Sequence, residues 1–220
     1  SLARRPRRSF SLFLHPPPLD PITMIEIFHK GGPIMWPLLA VSVVVITVVI
    51  ERFFFILIER KNRDERVVGE ILAEIEKGHL DQACRVGEAS KDFVARAVTY
   101  ALTHREKSFS EAMLRAANWE LKRFHRGLMI LDTVITLAPL LGLLGTVTGM
   151  IRSFDMLGGS ELGAPSAITG GIAEALIATA YGLGIAITGL LPFNYLNSRE
   201  EEARLEMQDA ASHIEIHLKS

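Results

Sequence analysis

The sequence predicts an all-α integral membrane protein with three transmembrane helices, some running on into a helical polar domain. Three observations predict it. Three apolar runs, at 34–58, 128–151 and 168–196, each reach the ~20 residues that a helix needs to cross a ~30 Å hydrocarbon core. Charged residues make up 22% of the 220 and apolar ones 49%, yet the two classes stand in separate blocks, where a soluble domain would mix them at helical or strand period. No stretch of useful length alternates at period two or carries a hairpin turn signal.

Residues 1–23 hold Arg4, Arg5, Arg7 and Arg8. Arg7-Arg8-Ser9-Phe10 faintly resembles a twin-arginine signal, but the apolar stretch after it is short and Pro16-Pro17-Pro18 ends it. The segment is read as an extension or disordered stretch outside the fold, and 24–33 as the segment leading into the first span. That span, 34–58, is interrupted late by Glu51 and Arg52, which fit snorkelling or pairing at an interface. Trp36 fits an aromatic anchor at the opposite surface.

The polar block 59–127 reads as helices. Val67, Val68, Ile71, Leu72 and Ile75 make one amphipathic face; Gly78 stops that helix, and Asp81 can cap the next. Ser90 or Lys91 opens a third, with Phe93, Val94, Ala97, Val98, Ala101 and Leu102 on its apolar side. Ser108-Phe109-Ser110-Glu111 matches a capping box. No Gly or Pro follows until Gly127, so one long helix is expected to rise into the second span, 128–151. A short loop, 152–167, leads to the third span, 168–196. The tail, 197–220, carries Ala203, Met207, Ala210, Ile214 and His217 at four-three spacing. That pattern suits a helix packed on its neighbours by a narrow seam, or an amphipathic tail in solvent.

Orientation follows from the basic residues. The block Glu59–Arg126 holds fourteen Lys and Arg, whereas the loop between the second and third spans holds only Arg152. The positive-inside rule then puts the block and the tail in the cytoplasm, and 24–33 and the 152–167 loop on the far side. Net charge is −1, which gives no footprint for nucleic acid. The single cysteine, Cys84, excludes an intrachain disulfide and reads as a small buried side chain in a helical domain.

The stretch Gly171–Pro192, GIAEALIATAYGLGIAITGLLP, carries a carboxylate, Glu174, inside an apolar run. An ionisable group there costs at least ~2.5–3.5 kcal/mol on insertion scales and is a functional candidate by default. Glu174 either lines a pore or reaches interfacial water from the rim. Thr146 lies about seven residues before the outer loop and Glu174 a similar distance after it, so the two should sit at similar depth, ~10 Å from that loop. Thr179 lies five residues further in. Each hydroxyl either lines an ion path or bonds back to its own helix. Gly142, Gly145, Gly149 and Gly182 have the small-residue spacing that lets helix backbones approach closely in lipid, and they imply a crowded bundle or oligomer.

There is no Walker A loop, no nucleophile elbow and no His-Glu-x-x-His, so no enzyme and no cofactor is expected. His213 and His217 stand four apart, but no cysteine or carboxylate cage adjoins them in sequence and no metal site is read there.

LAPLLGLLGTVTGMIRSF in the second span and GGIAEALIATAYGLGIAI in the third resemble the paired signature of the MotA/TolQ/ExbB proton-channel family. GGPIMWPLLAVSVVVITVVIERF resembles the first span of its ExbB-like members. Three spans with a polar block between the first two are similar to ExbB, then TolQ, more than to MotA, which has four. The resemblance implies a bacterial inner-membrane protein forming a homopentamer in the lipid bilayer around single-span ExbD- or TolR-like helices, whose aspartate carries the proton. It implies pore roles for Thr146 and Thr179 and an intramembrane role for Glu174. It also implies coupling to a TonB- or TolA-like protein: TonB-dependent import of iron chelates or vitamin B12 for ExbB, envelope constriction for TolQ. Two readings of other classes remain beside it. A self-sufficient channel would conduct alone, and a structural scaffold would lose stability without a separate loss of coupling when its intramembrane polar residues change.

Overall fold

The computed structural model describes residues 21–105, 108–158 and 165–218. Residues 1–20 of the extension, and positions 159–164 within the 152–167 loop, lie outside the described residues. Among the described residues every regular element is an α-helix. They run in the order α1 (Pro21–Lys30), α2 (Met35–Asn62), α3 (Glu65–Glu76), α4 (Leu80–Glu88), α5 (Phe93–Thr103), α6 (Phe109–His125), α7 (Leu128–Gly158) and α8 (Pro165–Leu218).

Three of these helices are long and apolar enough to cross a membrane: α2, α7 and α8. Their outer faces leave large apolar side chains uncovered, among them Phe53 and Phe54 on α2, Leu140 and Phe154 on α7, and Ile187 and Leu191 on α8. A continuous apolar surface of this kind is stable against lipid or neighbouring chains, not water. Trp36 is exposed at the start of α2 and meets Phe28 of α1 edge to face at 5.3 Å.

α7 and α8 pack closely as an antiparallel hairpin, and glycines make this possible. A Cβ added at Gly182 would lie 2.5 Å from the Ala138 carbonyl oxygen and 3.1 Å from the Gly142 Cα. Gly145 faces the Ala178 methyl, and Gly149 faces the Gly171 carbonyl. With no driving force from water expulsion between helices in lipid, such backbone proximity supplies the dispersion that holds them together.

The polar end is a small globular domain built on α3–α6, the end of α2 and the second half of α8. α5 is its centre: Val94, Ala95, Ala97, Val98, Ala101 and Leu102 are all buried. Ala203, Met207, Ala210 and Ile214 of α8 are buried against this core, so the four-three seam of the tail packs on neighbours. Asp92 is wholly buried and has two tasks. Oδ1 accepts the Val94 and Ala95 amides as the N-cap of α5, while Oδ2 accepts the Asp64 amide at 2.8 Å and the Arg63 guanidinium at 2.6 Å. Arg63 reaches on to Glu206 of α8 at 2.8 Å. Burial alone would lower the Arg63 pKa, but the hydrogen bond and charge of Asp92, with Glu206, raise it above its ordinary value. A second network joins Glu59 and Glu120 to Arg96 and Arg123. Burial would raise the Glu120 carboxyl, yet hydrogen bonds from Arg96 and Arg123 bring it below the usual carboxylate range.

Several local expectations are corrected. The helix from Ser108 does not run unbroken into the second span. It stops at His125, and Gly127, at φ +86°, separates α6 from α7. There the chain has no Cβ, and the stem of Arg52 packs close by. The N-cap of α5 is Asp92 rather than Ser90 or Lys91, because its carboxylate can also serve Arg63. α4 is preceded by His79 with no side-chain cap, leaving Asp81 in the first turn. Gly78, at φ +78°, does end α3. α7 continues to Gly158, seven residues past the apolar run: Arg152 pairs with Glu174 across the hairpin, and Ser153 bonds back to the Gly149 carbonyl of its own helix while packing on Gly171. The tail is no separate element: α8 passes through Pro192 and continues to Leu218.

Candidate functional site

The candidate site lies near the apolar end of the hairpin, where α7 finishes, α8 begins and the turn between α1 and α2 passes over both. α8 is helical from Pro165, so Glu174 sits in its third turn. Neighbouring Leu176 is 64% exposed on the outer surface, whereas the Glu174 side chain is 19% exposed and turned inward. Its Oε1 accepts a hydrogen bond from Arg152 Nη1 of α7 at 2.8 Å. The other neighbour is Gly32, at φ +72° in the α1–α2 turn. A Cβ at Gly32 would collide with the Glu174 carboxylate, so that position needs glycine for its backbone and for the space.

The antiparallel register sets the heights of the other candidates. Gly149 stands level with Gly171 and Ala175, Gly145 with Ala178, and Gly142 with Thr179. Thr146 therefore lies between Glu174 and Thr179, within about two or three residues of Glu174 in height, ~4 Å at helical rise. The three side chains have different partners. Thr179 Oγ1 is 3.2 Å from the Gly142 carbonyl across the hairpin and 3.2 Å from the Ala175 carbonyl on its own helix. Thr146 Oγ1 donates to the Leu143 carbonyl of its own turn at 2.6 Å. The structure thus joins Glu174 to Arg152 and Thr179 to Gly142, and leaves Thr146 on its own helix.

Below this level the packing is close on the α7 side. On the other side, α2 and α8 enclose a groove of about 490 Å³, whose lining includes Ser42, Tyr181 and Thr188. Asp132, at the other end of α7, is exposed. Arg52 is buried, paired with Glu51 and donating to the Arg123 carbonyl at 2.9 Å, so it ties α2 to the end of α6.

Sequence reasoning missed the partner of Glu174. A signal was present. Arg152 is the lone basic residue between the second and third spans, and it and Glu174 are equally distant from position 163, where an antiparallel hairpin would fold. It also missed that Glu76 of α3 comes beside both His213 and His217.

A profile of the MotA/TolQ/ExbB proton channel family matches residues 86–209. A Synechocystis sp. protein called ExbB-like 1 is 38% identical over 205 residues, 88% of this chain and 78% of its own length. The Tol-Pal system protein TolQ of Haemophilus influenzae is 39% identical over 93 residues, 42% of this chain and 41% of its own. The biopolymer transport protein ExbB of Neisseria gonorrhoeae is 36% identical over 99 residues, 45% of this chain and 44% of its own.

Proposed function

Because the chain belongs to the MotA/TolQ/ExbB proton channel family, we propose that it is the ExbB-like subunit of an inner-membrane complex driven by the proton-motive force. In this reading a pentamer of the chain surrounds single-span ExbD-like helices, and their movement energises a TonB-like protein for outer-membrane import. The observation that carries it is a carboxylate kept at the end of a close-packed apolar hairpin, in a chain similar along most of its length to an ExbB-like relative.

One chain supplies too few ionisable groups for a relay. Glu174 is held by Arg152, and each candidate hydroxyl already faces a carbonyl. A partner carboxylate moving past this wall would close the path, with Glu174 and Arg152 setting the field at its mouth. One charge crossing 100 mV releases ~2.3 kcal/mol, so a few protons suffice to bias a shift or rotation of partner helices.

The test is growth on scarce chelated iron in cells that depend on this chain. Glu174→Gln and Thr179→Val should abolish growth while the protein still inserts at normal abundance. Full growth of both variants would remove these residues from the mechanism. The TolQ likeness supports a second reading, a motor for envelope constriction. It predicts that the same variants grow on chelated iron but become sensitive to detergent.

A further inference from the structure

At the polar end, far from the hairpin site, three metal-ligating side chains from two helices converge. Glu76 is the last residue of α3, and His213 and His217 occupy successive turns near the end of α8. Their ligand atoms all lie within 4.8 Å of one another. His213 Nε2 is 2.8 Å and His217 Nε2 3.7 Å from the same carboxylate oxygen, Glu76 Oε1. The two rings are inclined by 30°, with centroids 5.3 Å apart, and each Nε2 faces that same oxygen.

That geometry is close to a metal's requirement. Tetrahedral zinc binds imidazole and carboxylate at ~2.0–2.2 Å, which places its ligand atoms ~3.3 Å apart. The observed separations bracket this figure, and rotation about exposed side-chain bonds suffices to close it. Histidines at i and i+4 are the helical spacing that lets two imidazoles share one ion. Two imidazoles and one carboxylate favour zinc, copper or nickel over magnesium or calcium, which prefer an all-oxygen shell.

The geometry points to a binding site for one divalent transition-metal ion of the zinc class per chain, ligated by Glu76, His213 and His217 and completed by water. Bound there, the ion staples α3 to the end of α8 and fixes the seam on which the polar domain is assembled. This site is independent of any ion path, so it stands or falls apart from the proposed function.

The experiment uses the full untagged chain in detergent, titrated with Co²⁺ as a spectroscopic probe and then with Zn²⁺ during thermal melting. The expected result is a saturating Co²⁺ absorption band at one ion per chain, displaced by Zn²⁺, and a Zn²⁺-dependent rise in melting temperature. Glu76→Gln, His213→Ala and His217→Ala should each lose the band and the rise. His79→Ala, at another exposed histidine, should keep both, and circular dichroism should show that all four variants remain helical. Absence of saturable binding in the unaltered chain, or its retention in any of the three ligand variants, overturns the proposal.

Discussion

At the residue scale, the most constrained side chain is Asp92. It has no exposure, caps α5 through one oxygen and holds Arg63 and the Asp64 amide through the other. Removing one partner of a buried pair leaves an uncompensated charge and costs about 3–5 kcal/mol. Asp92→Ala should lower stability by that amount in a mixed-micelle unfolding titration, whereas Asp92→Asn should lower it less, since an amide oxygen still caps α5. Equal losses in the two variants would mean that the charge, not the cap, is the main contribution. The sequence pattern opens α5 at Ser90 or Lys91 and does not single out Asp92. Its pairing with Arg63, 29 positions away, depends on how α3 folds back.

At the element scale, the α7–α8 hairpin rests on glycine contacts that leave no room for a methyl group. Gly182→Val would place Cβ against the Ala138 carbonyl, and overpacking of this sort costs about 1–3 kcal/mol. It should lower the melting temperature of the purified chain. Gly184→Val, where a Cβ meets nothing within 4 Å, should not. If both variants melt alike, close packing at Gly182 is not what holds the hairpin. The same comparison separates contact from mere helix propensity, because both substitutions add a β-branched residue to one helix. The glycine pattern announced close approach in the sequence. Which glycine meets which backbone became visible only once the register was set.

At the scale of the whole molecule, one continuous helix connects the two ends. α8 carries Glu174 near its start and His213 and His217 near its finish, ~60 Å apart at helical rise. A disturbance at the hairpin therefore has a rigid route to the polar domain. The proposed orientation is testable on this frame. With Cys84 replaced by serine, a cysteine at His29 of α1 should react with a membrane-impermeant maleimide added to intact spheroplasts. One at Ser212 of α8 should react only after permeabilisation, and the opposite pattern would reverse the topology. Both positions are exposed in the structure, so differences in labelling would report sidedness and not burial.

Family, helical class and the three candidate spans were readable from the chain alone, because hydropathy, glycine spacing and capping residues act over a few neighbouring positions. The break at Gly127 was half-readable. The glycine was visible, but the straight run before it suggested one helix, and the packing of Arg52 beside the turn lies 75 positions earlier. Three-dimensional packing alone decided that Asp92 joins α5 to Arg63 and that Glu76 meets His213 and His217. Those pairings are long-range charge and hydrogen-bond contacts. Their energy depends on the register and crossing of whole helices, which no local pattern encodes.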